Sequence, residues 1–113
     1  KFARSRDMID MGLAVALATD YNPGSSPTES MQLVMYMAAL KLKMTPEEII
    51  TSATINAACA LGEGETIGTI EDGKAGDLVI FDAPDLSYIP YHLGVNLSNT
   101  VIKRGNIVYK AQE

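Results

Sequence analysis

Apolar and polar positions change rhythm several times along this chain. Residues 2–11 scatter Phe2, Met8, Ile9 and Met11 among charges at helical spacing, and Gly12 is placed to end that helix in a left-handed cap. Residues 13–19, LAVALAT, form a continuous apolar run too short for an ordinary helix. Gly12 and the Asn22-Pro23-Gly24 turn bound it, so the pattern predicts a strand buried on both faces, as in parallel sheets covered by helices. Its alanines are weak strand formers.

Two helix starts follow. Ser26-Pro27-Thr28-Glu29 offers an N-cap, a first-turn proline and a glutamate at the third helical position. That signature predicts a helix from Pro27 to about Lys43, with Leu33, Met37, Leu40 and Met44 on one side. Thr45-Pro46-Glu47-Glu48 repeats it and predicts a second helix, PEEIITSATINAACAL, stopped by Gly62. Its small residues Ala53, Ala57, Ala58 and Ala60 permit close approach by neighbouring elements.

Beyond Gly62 the texture is that of short strands. Residues 67–70 and 77–82 read as strands separated by the turn at 71–74. Residues 100–103 and 106–109 flank Arg104-Gly105, a hairpin signal. The intervening 83–99 is rich in proline and tyrosine and reads as irregular. The expected class is therefore α/β: residues 1–62 helix–strand–helix–helix, residues 63–113 all β. Each part looks incomplete, and two half-domains are hard to stabilise in 113 residues.

Composition narrows the partners. A hydrophobic fraction of 47% and a net charge of −5 describe an ordinary globular chain. With no Lys/Arg cluster, neither nucleic acid nor an anionic membrane surface is an expected partner. No segment reaches the roughly 18 uninterrupted apolar residues of a membrane span. The one cysteine, Cys59, forms no internal disulfide and fits a reducing compartment, so a cytoplasmic location is expected. The chain begins without methionine inside an element, which suggests a piece of a longer polypeptide.

Asp20 ends the apolar run and opens onto a glycine turn. It is either a turn acid accepting a backbone N–H or a carboxylate at the mouth of a buried strand, where α/β barrels place catalytic groups. On spacing alone the turn reading is favoured, because one aspartate makes no metal site and no His-x-His is present. Asn22, Gly24 and Ser25 read first as turn residues, although an amide, a bare backbone and a hydroxyl near a helix start could hold an anion. His92 is expected to be structural. Cys59 is expected to be a small core residue, and Met31, Met35, Met37 and Met44 core filler.

The longer words go further. VALATDYNPGSSPTES, TPEEIITSATINAACALG, IGTIEDGKAGDLVIFD, YIPYHLGVN and TVIKRGNIVY follow one another as in the metal-dependent amidohydrolases, which this chain resembles over essentially its whole length. The TxNAA and GxIxxGKxxDLV patterns carry the superfamily. The ATDYNPGS and PYHLGVN stretches point within it to hydrolases of cyclic amides. Gly76 is a small departure, since the superfamily more often has alanine before the aspartate.

The resemblance implies the C-terminal quarter of a (β/α)8 barrel enzyme with an accompanying β-sandwich. Residues 1–62 would be the end of the barrel, with 13–19 its eighth strand, and residues 63–113 the C-terminal part of the sandwich. It implies that Asp20 is a catalytic metal ligand, for one zinc or iron ion whose other ligands lie outside this chain. It implies that Asn22, Gly24 and Ser25 hold a small-molecule substrate, and it reverses the preference for Asp20 as a turn acid. The chain alone is then expected to be inactive, and to expose apolar surface that favours homo-oligomers. Two alternatives stay open: another cyclic-amide hydrolase or deaminase of the superfamily, and a non-catalytic interaction or assembly module.

Overall fold

The computed structural model describes residues 1–112. Four helices come first: α1 (Ser5–Asp10), α2 (Met31–Leu40), α3 (Pro46–Ala53) and α4 (Ile55–Ala60). Three strands follow, β1 (Leu78–Phe81), β2 (Ser98–Lys103) and β3 (Asn106–Lys110), in an antiparallel sheet of order β1-β2-β3.

The second capping signal acts as its residues predict. Thr45 accepts from the Glu48 N–H while the Glu48 carboxylate accepts from the Thr45 N–H, and Pro46 opens the helix. The first does not. Ser26 spends its hydroxyl on the Thr19 carbonyl at 2.7 Å, so Ser30 becomes the N-cap and α2 starts at Met31 rather than Pro27. The expected single helix over 46–61 is two, broken at Thr54, whose φ of −117° and ψ of −93° leave the helical region. The Thr54 hydroxyl donates to the Ile50 carbonyl at 2.7 Å, a back-bond that bends helices.

Residues 13–19 are not a hydrogen-bonded strand here. They are extended, but no strand lies beside them among the described residues, and their polar ties run to the helices instead. Their exposure alternates: Val15, Leu17 and Thr19 are half-buried, whereas Ala14, Ala16 and Ala18 are exposed. Residues 67–70 also form no strand. Gly68 sits at φ +100° against Ala58 and Ile55, and Lys74 fastens this connector by donating to the Gly64 carbonyl and the Thr69 hydroxyl, both at 2.7 Å.

Met35, Ala38, Met44, Ile49, Ile89 and Leu97 form the buried cluster, with Ile9, Val15, Leu17 and Phe81 packed against it. Two of those core residues, Ile89 and Leu97, come from the stretch read as irregular, and Pro90 beside them is fully buried. Of the four methionines expected to fill core, Met35 and Met44 do so, whereas Met31 and Met37 are only half-buried and lie outside the cluster. Cys59, expected in the core, is exposed on α4. A partly buried ion pair joins α1 to the α3 cap: Arg6 donates from both terminal nitrogens to Glu48, at 2.8 and 2.9 Å. The hairpin turn has Arg104 at φ +49° and Gly105 at φ +79°, both left-handed, as a two-residue loop between twisted strands requires.

Candidate functional site

The extended segment delivers Asp20 to a turn that its own backbone helps to close. Asp20 adopts φ +49°, a left-handed conformation that aspartate tolerates better than most residues, and its carbonyl accepts from the Asn22 side-chain amide at 2.7 Å. The Asn22 Oδ1 then accepts from the backbone N–H of Gly24 (2.9 Å) and of Ser25 (2.8 Å). A single backbone bond, Asn22 N–H to the Ser26 carbonyl at 3.0 Å, closes the loop. Asn22, not Asp20, is therefore the residue that performs the turn chemistry.

This leaves Asp20 unengaged. It is exposed, and its carboxylate takes part in no hydrogen bond or ion pair among the described residues. Both oxygens are available to a cation or a proton. Ser25 lies beside the Asn22 amide, with its hydroxyl 3.3 Å from Nδ2. Gly24 has room for a Cβ except toward Asn22 Oδ1, at 3.2 Å. The structure thus brings Asp20, Asn22, Gly24 and Ser25 together on one exposed loop, with Asn22 already committed to holding its shape.

One carboxylate fits a divalent cation as a single ligand, not as a site. Among the described residues no three His, Cys, Asp or Glu side chains are grouped to hold a metal. His92 is engaged with its own loop: its Nδ1 lies 2.7 Å from the Tyr88 carbonyl and its ring stacks on Tyr88 at 3.5 Å. Since a carbonyl only accepts, Nδ1 carries the proton, and the histidine holds its own loop. An open groove of about 810 Å³ runs between α2 and the 92–98 loop, past Gln32, Phe81, His92 and Asn96, and does not include Asp20.

Residue reading from sequence missed the groups that hold the Asp20 segment in place. Asn56 donates to the Val15 carbonyl at 2.9 Å, and the Leu17 N–H donates to the Ser52 carbonyl at 3.0 Å. The available signal was an asparagine inside the apolar run INAACA.

The fold of this chain is shared with solved structures. The amidohydrolase from Thermotoga maritima MSB8 matches 95% of this chain at a TM-score of 0.73 and 25% identity, over 26% of its own length. E. coli guanine deaminase matches the same share at 0.71 and 20% identity, a likeness of fold alone.

The chain belongs to the amidohydrolase family, whose sequence profile matches residues 1–110. Among curated relatives it is 61% identical over 108 residues to the imidazolonepropionase of Alkaliphilus oremlandii, covering 96% of this chain and 26% of that protein. It is 59% identical over 107 residues to the imidazolonepropionase of Bacillus velezensis, covering 95% and 25%. The chain thus spans about a quarter of the length of the curated relatives it matches. No helix among the described residues is long and apolar enough to cross a membrane.

Proposed function

We propose that this chain is the C-terminal quarter of an imidazolonepropionase, which hydrolyses 4-imidazolone-5-propanoate to N-formimidoyl-L-glutamate. The observation that carries the reading is identity of 61% to a protein of that name across nearly the whole chain. The uncommitted Asp20 carboxylate on the exposed turn supports it. On this reading residues 1–62 close a (β/α)8 barrel with 13–19 as its last strand, and residues 63–113 contribute to a β-sandwich. The extended backbone of 13–19, left without strand neighbours here, is what such a strand would look like without the rest of the barrel.

Asp20 is the residue this chain gives to a zinc or iron site, since a catalytic metal needs about three protein ligands and the described residues group no three together. When bound, the ion supplies Lewis acidity and makes a water molecule acidic enough to attack at neutral pH. Asp20 accepts the proton of that attacking water. The water oxygen bonds to the ring carbonyl carbon, the carbon–nitrogen bond breaks, and Asp20 returns the proton to the departing nitrogen. The carbonyl carbon stays bonded to its former ring neighbour as the new carboxylate, and the remaining proton of the water goes to the freed amidine. The 22–25 loop, stiffened by Asn22, orients the propanoate-bearing ring through the Ser25 hydroxyl and the bare backbone of Gly24. Such an enzyme works on a small soluble metabolite, in the cytoplasm, with the apolar faces left open here covered by the rest of the polypeptide or by a second copy.

The test is Asp20→Asn in the complete polypeptide. Zinc or iron content should fall below one per chain and turnover should drop by at least about a hundredfold. Retention of both overturns the role of Asp20. Preference for hydantoins or dihydroorotate over imidazolonepropanoate in the unmodified enzyme overturns the substrate. The 113-residue chain by itself should show neither turnover nor tightly held zinc.

A further inference from the structure

Asn56 is a polar residue in the short, otherwise apolar helix α4, and its side-chain bond is partly buried. Its Nδ2 donates to the Val15 carbonyl at 2.9 Å, across 41 positions of sequence. Two residues further on, the Leu17 N–H donates to the Ser52 carbonyl at 3.0 Å. In an unbroken helix that carbonyl would accept from the N–H four residues later. The break at Thr54 releases it, so the irregularity between α3 and α4 has a use. At the far end of the segment the Ser26 hydroxyl donates to the Thr19 carbonyl at 2.7 Å.

In extended backbone the N–H and C=O groups of alternate residues point to the same edge. Residues 15, 17 and 19 are therefore tied along one edge, by Asn56, Ser52 and Ser26 in turn. Val15 and Leu17 also pack on the core, while Ala14, Ala16, Ala18 and Asp20 share the exposed phase. A slip of one residue would replace Val15 and Leu17 by alanines in the core and turn the Asp20 phase toward the helices. Register here decides whether the carboxylate faces outward.

We propose that Asn56, together with the Ser52 carbonyl, is the positioning element that fixes the register of residues 15–19 and so presents Asp20 to its cation. The inference rests on the reading of Asp20 as a metal ligand. Neither residue touches Asp20, so each acts through the segment. Thr54 frees the Ser52 acceptor and Asn56 supplies the donor. Ala58 lets Gly68 pack close by, where a built Cβ would come within 2.8 Å of the alanine methyl.

The experiment uses the complete polypeptide with zinc alone as the probe, read by chelator competition, and hydrogen exchange of the amides of residues 15–20. Asn56→Asp keeps the shape and removes the donor, and Asn56→Ala is the milder companion should the first fail to fold. Arg6→Met is the control, since it loosens the helical layer without touching residues 13–20. The expected result is zinc affinity about tenfold weaker in either Asn56 variant. The Leu17 amide should exchange faster, kcat should recover at saturating zinc, and KM should stay unchanged. Arg6→Met should lower the melting temperature and leave zinc affinity alone. Wild-type zinc affinity in the Asn56 variants, or an equal loss in Arg6→Met, overturns the inference. An unmodified polypeptide that binds zinc but leaves imidazolonepropanoate intact sinks the substrate reading instead, and the zinc comparison still decides the role of Asn56.

Discussion

The segment at 13–26 and the hairpin at 98–110 solve the same problem by opposite means. Both contain extended backbone whose N–H and C=O groups need partners. The hairpin finds them in itself: β2 and β3 pair from Thr100↔Lys110 to Lys103↔Asn106 across a two-residue turn. Residues 15–19 of the segment borrow them from residues seven to 41 positions away, one at a time, and leave their other edge open. A ladder that closes on its immediate neighbours is robust and carries no chemistry here. An extended segment held on one edge by two side chains and a helix carbonyl keeps its other edge available, and it is the one that ends in a free carboxylate.

The contrast extends to burial and can be broken there. Ile49 is 0% exposed beneath α2, whereas Ile107 in β3 is 65% exposed, aligned with Ile102 and Leu78 across the sheet. Ile49→Ala should cost about 2–5 kcal/mol by equilibrium denaturation, since it removes a side chain from closed packing. Ile107→Ala, measured in the complete polypeptide, should cost about 2 kcal/mol, because the proposed sandwich covers that face. A loss under about 0.5 kcal/mol at Ile107 would mean the sheet faces water in the intact protein.

The two turns give a smaller contrast. Gly105 sits at φ +79° with open space around a built Cβ, so Gly105→Ala meets backbone strain alone, roughly 1–2 kcal/mol. Asn22→Ala removes the acceptor for two N–H groups on an exposed loop where water can substitute. A stability loss of about 0.5–1 kcal/mol is expected there. Its larger effect should fall on KM, through a loosened 22–25 loop. Unchanged KM would detach that loop from substrate.

These differences explain what could be read from residues alone. Arg104-Gly105 and Thr45-Pro46-Glu47-Glu48 are complete local devices, and both formed as written. Ser26-Pro27-Thr28-Glu29 has the same letters as a cap, but Ser26 lies within reach of the Thr19 carbonyl, and that distant competitor takes its hydroxyl. The strand expected at 13–19 needs neighbours that no local pattern supplies. The turn chemistry weighed for Asp20 belongs to Asn22, two residues on, which composition could not separate. Asn56 and Ser52 stayed hidden because their partners are about 40 residues away.

Acid gives the finest comparison, between an ion pair in the helical layer and one in the sheet. Glu48 is held below the usual carboxylate range first by the Arg6 guanidinium and then by the Thr45 N–H. Asp77 is lowered first by Lys103 and then by the Arg104 N–H. Their side chains are similarly shielded, 26% and 24% exposed. A carboxylate with a depressed folded-state pKa adds stability that is present above its unfolded value, and loses it as pH falls through the folded one. Arg6, whose pKa is raised, stays charged throughout and adds no slope of its own. Glu48→Gln and Asp77→Asn should therefore each flatten the decline of stability as pH falls through and below the ordinary carboxylate range. Glu48→Gln should flatten it more, because Glu48 accepts two guanidinium bonds in fork geometry, whereas Lys103 offers one flexible ammonium that salt screens more readily. Raising salt at neutral pH should narrow the gap between wild type and Asp77→Asn before it narrows the gap for Glu48→Gln. Equal salt sensitivity would mean that the link between α1 and α3 is no better shielded than the rim of the sheet.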